Sequence, residues 1–495
     1  MRFLAGIALI LNLGQIFLGE SVNHKRFLFT KPSLKPPLAI QQPTYKAAVY
    51  NHKLVSPGNV KSRTEALAVM NKNLDIYEKQ AAKAGSQGVD ILVFPEDGLY
   101  GGAISKRINM YLFLESVPDP KEVIWNPCVE KNRFANTEVQ HRLSCMARKN
   151  SLYIVANMGD VHHCSRASDT SCPRDGRYQY NTDVVFNPHG TLIVRYHKLN
   201  LFFETDFDYP PKAELATFDT PFGRFAVFTC FDSLFHDPSI EVIEDYNVDS
   251  VAFPTLWTET PPFLYAVQWQ SAFSVGMKVN LLAANHNNAG GSGIYTPTGV
   301  ATYAGNYQPA QLLIATIHSR PNVFPSPQPK PTISATQSTG VYASLAFGDN
   351  YKFVNLREGS SSATVCNGRL CCQANYSFTQ HGGDMFALGA FSGVHTTIAR
   401  AGLQVCVVMK CVGWGTPSLP CGQTPHSSAS TFSRLVLTGN FTTNYVFPEV
   451  LVSSGGTEEL ASGEWQYSDK ALSSAHGFSK PLLSAVLFGR LYSAD

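Results

Sequence analysis

Residues 225–238 read Phe225-Ala226-Val227-Phe228-Thr229-Cys230-Phe231-Asp232-Ser233-Leu234-Phe235-His236-Asp237-Pro238. The uncharged run that opens this stretch has the pattern of a buried strand, and Asp237-Pro238 has the form of a helix start. Cys230 is therefore expected at a strand-to-helix elbow. Such an elbow exposes a nucleophile at the carboxyl edge of a sheet and aims backbone N–H groups at the space beside it, where a tetrahedral oxyanion forms. A lone cysteine among aromatics is also the ordinary pattern of a small buried hydrophobe. The stretch thus fixes a place for chemistry before it fixes the chemistry.

Upstream, Ser62-Arg63-Thr64-Glu65 forms a capping box, and Leu67, Met70, Leu74, Tyr77 and Ala81 follow at helical spacing until Gly85. Val89 to Phe94 is almost wholly apolar and ends at Pro95, as a buried strand does. The rhythm returns at Leu152–Ala156, at Asp183–Phe186 with Leu192–Tyr196 across the turn Asn187-Pro188-His189-Gly190, and at Val251–Phe253 and Val279–Ala284 around a helical Leu264–Gly276. Strands alternating with helices predict an α/β domain over residues 44–318. Residues 319–345 hold five prolines among Ser, Thr and Gln and read as a linker. From 346 to 495 the runs shorten between Gly, Ser and Pro, which predicts a disulfide-braced, β-rich domain.

The 495 residues include 39 Lys and Arg against 37 Asp and Glu, a formal charge of +2 that gives no electrostatic case for nucleic acid. With 44% hydrophobic and 15% charged residues the chain is too apolar for disorder. Arg2 followed by an apolar Phe3–Leu18 and Gly19-Glu20-Ser21 reads as a cleaved signal peptide, residues 1–21, with an uncleaved anchor as the alternative. Leu482–Phe488 is followed at once by Gly489-Arg490-Leu491-Tyr492, so no membrane anchor is expected. A secreted, extracellular glycoprotein fits this reading, with sequons at Asn375 and Asn440.

Eleven cysteines leave an odd one in an oxidising compartment. Cys230 stands alone, while Cys128 with Cys145 and Cys164 with Cys172 suit local bridges. The six from Cys366 to Cys421 allow fifteen pairings. His162-His163-Cys164 with Cys172 also resembles a zinc ligand set, but in a secreted chain the disulfide is the ordinary outcome, and no metal is assigned.

Two further residues bear chemistry. Glu96 follows the strand ending at Phe94, where open α/β sheets place their sites, and is poised as a base or as the cap of a turn. Lys198 lies just after a strand among aromatics, where a surface lysine is the default. Together with Cys230 they resemble the Glu-Lys-Cys triad of the nitrilase (carbon-nitrogen hydrolase) superfamily. The carriers are Val93-Phe94-Pro95-Glu96-Asp97-Gly98, Tyr196-His197-Lys198-Leu199-Asn200-Leu201 and Thr229-Cys230-Phe231-Asp232. The biotinidase/pantetheinase (vanin) branch is resembled further in Trp125-Asn126-Pro127-Cys128, Asp175–Thr182, Gly291-Ser292-Gly293-Ile294, Tyr445-Val446-Phe447-Pro448 and Leu487–Tyr492.

The resemblance implies a nitrilase-like four-layer α-β-β-α sandwich followed by the smaller β-rich domain. It implies a cysteine amidohydrolase that opens a small-molecule secondary amide through a thioester, without metal or organic cofactor. Glu96 would act as general base and acid, Cys230 as nucleophile, and Lys198 with the Phe231 N–H as oxyanion stabilisers. Glu204 resembles an additional glutamate of the family, and the substrate wall is expected around Trp257 and Glu204. There Pro254-Thr255-Leu256-Trp257-Thr258-Glu259 departs from the Ala-Trp-Met-Asn wording of the branch. Motif wording places biotin amides slightly ahead of pantetheine as the substrate. A binding protein without turnover is the reading from another class. A papain-like site, with His236 or His286 serving Cys230, is a third.

Overall fold

The computed structural model describes residues 40–102, 106–321, 336–412, 420–422 and 425–495. The signal peptide read at 1–21 and most of the linker read at 319–345 lie outside these residues. Two six-stranded sheets build the first domain. One has the order Gln311–His318 (β12), Thr44–Asn51 (β1), Ile91–Val93 (β2), Tyr153–His163 (β3), Arg177–Phe186 (β4) and Leu192–His197 (β5). The other has the order Gly299–Gly305 (β11), Gly291–Thr296 (β10), Asn280–Ala284 (β9), Ser250–Pro254 (β8), Gly223–Val227 (β7) and Ala216–Thr220 (β6). Strands β1, β2 and β3 are parallel, as are β7, β8 and β9. Parallel strands are covered on both faces, which is why these segments read as continuous apolar runs.

The sheets meet face to face. Ala47, Val49, Ile91, Val93 and Val155 of the first share one core with Phe225, Val227, Val251, Leu281 and Ala283 of the second. A hydrogen bond of 2.8 Å between the Tyr45 and Ser250 hydroxyls crosses the same interface. Helices α1 (Arg63–Ser86) and α2 (Glu138–Asn150) cover the outer face of the first sheet. Helix α1 starts where the capping box places it: the Ser62 hydroxyl accepts from Glu65 N–H and the Glu65 carboxylate accepts from Lys61 N–H. Its buried stripe, Ala66, Met70, Leu74, Tyr77 and Ala81, recurs at helical spacing. Helix α3 (Ala266–Met277) covers the outer face of the second sheet, completing four layers.

The C-terminal domain is a seven-stranded and a five-stranded antiparallel sheet. Its first strand, Tyr342–Ala346, starts inside the span read as linker. Five disulfides join Cys128–Cys145, Cys164–Cys172, Cys366–Cys371, Cys372–Cys406 and Cys411–Cys421, leaving Cys230 as the free cysteine among the described residues. This domain docks on α3. Phe447 packs 4.9 Å from the Trp269 ring and stacks on Phe273, an anchor of the size that contributes about 1.5–3 kcal/mol on burial. No helix among the described residues is long and apolar enough to cross a membrane.

Candidate active site

The chemistry-bearing side chains gather where β2, β5, β7, β8 and β9 end, the carboxyl edge at which open α/β sheets bind ligands. Glu96 follows β2 through Phe94 and Pro95, Lys198 follows β5, and Cys230 follows β7. Three segments far apart in sequence thus converge.

Lys198 Nζ donates to Glu96 Oε1 at 2.7 Å and also to Glu204 Oε1. Asn181 Nδ2 donates to Glu96 Oε1 at 2.8 Å and to Glu204 Oε2 at 2.9 Å. The other Glu96 oxygen accepts from Leu256 N–H at 2.8 Å. Both oxygens of Glu96 are therefore held, which fixes the direction of its lone pairs in a site where Glu96 and Lys198 are 2% and 1% exposed. Burial favours the neutral amine of Lys198, yet the Glu204 and Glu96 carboxylates hold its ammonium well above the ordinary lysine value.

Cys230 opens a tight 3₁₀ turn, Cys230–Leu234, with φ of +45°. That left-handed backbone is costly for a residue with a Cβ and recurs at functional turns. The turn is capped by its own sequence. Thr229 and Asp232 form a reciprocal capping box, and Asp232 further accepts from Tyr196 OH at 2.6 Å and Asn200 N–H at 2.8 Å. Being second in the turn, Phe231 has no intraturn acceptor for its N–H, which leaves that donor available beside the sulfur. Burial, and next the charge of Glu96, push the Cys230 thiol well above its ordinary value, while Lys198 pulls it down. Burial and the Glu96 charge thus favour the thiol over the thiolate, a balance that calls for a base at the moment of attack.

The turn that carries the sulfur begins at Cys230 itself, and Asp237 is extended (φ −99°, ψ 129°) at the head of the helical residues that lead through Ile240 into Glu241–Tyr246, so Asp237-Pro238 opens a helix as the sequence reads. Trp257 is 5% exposed, as is Cys230, stacks on Trp269 at 6.4 Å and donates its indole N–H to Leu264 O. Glu204 pairs with Lys198. Neither histidine of the papain-like reading bonds Cys230: His236 pairs with Asp237, and His286 Nε2 donates to the Glu96 carbonyl at 2.9 Å.

Several residues that sequence reasoning passes over support this group. Asn157 Nδ2 donates to Asn181 Oδ1 at 2.6 Å and to Asp183 Oδ1 at 2.9 Å, and its side-chain Oδ1 accepts Asp97 N–H. Asp183 Oδ2 accepts from Thr229 OH at 2.7 Å, tying β4 to the residue before the cysteine. Burial pushes the Asp183 carboxyl up to about 8. Burial and then Glu96 and Glu204 push Asp97 well above the carboxylate range. The available signal is period two: Asn181 and Asp183 share one face of a strand that is buried along almost its whole length.

Residues 62–320 match the carbon-nitrogen hydrolase family model, and residues 343–495 match the vanin C-terminal domain. The chain is 44% identical to the pantetheinase of Mus musculus over 467 residues, covering 91% of this chain and 90% of that one. It is 41% identical to the biotinidase of Takifugu rubripes over 489 residues, covering 91% and 95%. A solved amidase from Nesterenkonia sp. aligns over 57% of this chain and 93% of its own, at 18% identity and a TM-score of 0.38. The chain belongs to the carbon-nitrogen hydrolase family, in the branch that joins this domain to a vanin C-terminal domain.

Proposed function

We propose that this amidohydrolase opens the secondary amide of pantetheine, releasing pantothenate and cysteamine, through a thioester on Cys230. The observation that carries the chemistry is the held carboxylate of Glu96, locked by Lys198, Asn181 and Leu256, beside a free thiol on a left-handed turn. Glu96 takes the Cys230 proton as sulfur bonds to the amide carbon. Lys198 and the Phe231 N–H stabilise the oxyanion. Collapse expels the amine, which leaves with the proton from Glu96. Water, deprotonated by the same carboxylate, then adds to the thioester and returns the thiol. Phe202 lies against Phe231 at 4.9 Å between ring centres and extends the apolar side of the mouth.

The acyl group is the open choice. Five relatives named pantetheinase share 43–44% identity with the chain, a pantetheine hydrolase of Homo sapiens 38%, and two biotinidases 39–41%; the five at the upper end favour pantetheine. Biotin amides are the second reading, favoured by the wording of Trp125–Cys128 and of Gly439-Asn440-Phe441-Thr442. Residues 44–318 carry the reaction and 346–495 brace it, in a secreted chain whose five disulfides suit an oxidising compartment. Glycans on Asn375 and Asn440 belong to the same reading.

The deciding assay measures amine release from pantetheine and from biocytin side by side, with Cys230→Ala and Glu96→Gln as controls. Turnover of pantetheine that both substitutions abolish is expected. Preferential turnover of biocytin selects the second reading. Equal slow release by all three proteins refutes catalysis at this site and favours a binding role.

A further inference from the structure

Behind the sheet that carries Lys198 lies a second cluster, built from Asp160 and His162 on β3 and His197 at the end of β5. His162 Nε2 and His197 Nε2 each lie 2.9 Å from the same oxygen, Asp160 Oδ2. The three donor atoms all fall within 4.8 Å of one another. Asp160 and His162 are two apart on one strand and so share a face, while His197 and Lys198 are adjacent and point to opposite faces. The cluster is thus separate from the catalytic group.

Each donor is aimed by a further contact. Asp160 Oδ1 accepts from Val117 N–H at 2.9 Å, which turns Oδ2 toward the imidazoles. His197 Nδ1 donates to Glu214 Oε1 at 3.0 Å, and Glu214 also accepts His197 N–H, leaving Nε2 directed at Asp160. Tyr180 stacks on the His197 ring at 4.3 Å and fixes its plane. A carboxylate on the far nitrogen of an imidazole is the orienting device that metal-bound histidines use. Asp160 and His197 are buried, whereas the His162 side chain is 33% exposed and leaves one side open to solvent. Arg195, held by Val117 O and Asp119, stands at the rim 3.4 Å from His162 Nε2.

We propose that Asp160, His162 and His197 bind one divalent transition-metal ion of the zinc class, with solvent in the fourth position. One oxygen and two imidazole nitrogens suit that ion, and four-coordinate zinc with ~2.0–2.2 Å bonds separates its ligand atoms by roughly 3.3 Å. The present 2.9 Å oxygen-to-nitrogen spacings need a few tenths of an ångström of spreading, and the two imidazole nitrogens, within 4.8 Å of one another, have to settle at the same separation. The metal takes the place of any proton carried on these two Nε2 atoms, and that proton passes to solvent.

The test is calorimetric titration of Zn²⁺ into the tag-free, chelator-stripped full chain, alongside Co²⁺ absorption spectroscopy. One equivalent of Zn²⁺ should bind, and Co²⁺ should give the visible bands of a four-coordinate N/O site. His162→Ala, at a partly exposed position, should abolish the bands and weaken binding at least ~10-fold while amide hydrolysis persists. Glu214→Gln should weaken it ~10–100-fold. Failure of the wild-type chain to bind Zn²⁺ at micromolar concentration, or equal affinity in the folded His162→Ala variant, overturns the site.

Discussion

Replacing Lys198 with methionine tests the electrostatic logic of the site most directly. The ammonium stands between Glu96 and Glu204, and both it and Glu96 are almost fully buried. Removing one partner of such a pair strands the other charge, a loss of about 3–5 kcal/mol. Asn181 still donates to both carboxylates and Leu256 N–H to Glu96, so the lower end of that range is expected. The downward pull on the Cys230 thiol disappears as well, so alkylation by iodoacetamide at fixed pH should slow. Loss of an oxyanion donor lowers kcat by about 10²–10³. The readouts are the denaturant midpoint, the alkylation rate and kcat for amine release. Glu204→Gln in the same chain should restore part of the stability and none of the rate. A Lys198→Met enzyme with the wild-type midpoint and a kcat within about threefold would refute the reasoning, since each effect is far larger than that.

Glu96→Gln should lower kcat/KM by about 10²–10⁴ in steady-state amine release, because the amide cannot carry the proton. Asp183 supplies a pH test. Its carboxyl titrates near 8 in the folded chain against about 3.9 unfolded, so the native state binds the extra proton between these values and stability falls as pH rises from about 4 to about 8. Asp183→Asn should flatten that slope in denaturation curves at about pH 5 and about pH 8. It should also keep both hydrogen bonds, since Asn157 still finds an oxygen and the Thr229 hydroxyl can turn to accept. Gly276→Ala would set a Cβ 2.6 Å from the Phe447 ring. A loss of about 1–3 kcal/mol in chemical denaturation, with faster proteolysis between the domains, is expected.

The fold is legible in the sequence because its period signals are strong. The capping box at Ser62 sets the start of α1, and the apolar runs at residues 91–93 and 251–253 are strands buried on both faces. Helix α2 is not legible, since its buried positions include Gln140 and Ser144, which carry no apolar signal. The candidate trio shows only through a resemblance, because residues 96, 198 and 230 come together through strand order and never through spacing. Hidden altogether is the polar framework of Asn157, Asn181 and Asp183. On paper these break an apolar strand pattern; in space they are the scaffold of the site. His162 has the spacing of a zinc ligand with Cys164 and Cys172, and the disulfide that joins those sulfurs leaves the imidazole for Asp160.

Arg490 donates its Nε–H to the carbonyl of Leu234, the last residue of the turn that Cys230 opens. The same guanidinium also holds Gly402 O and Asp495. The second domain therefore grips the reactive loop from behind, some 256 positions along the chain from where it acts. Damage to a distant bracket can then silence the enzyme while every group that touches substrate remains intact, so inherited lesions in this region should be screened by turnover as well as by protein abundance.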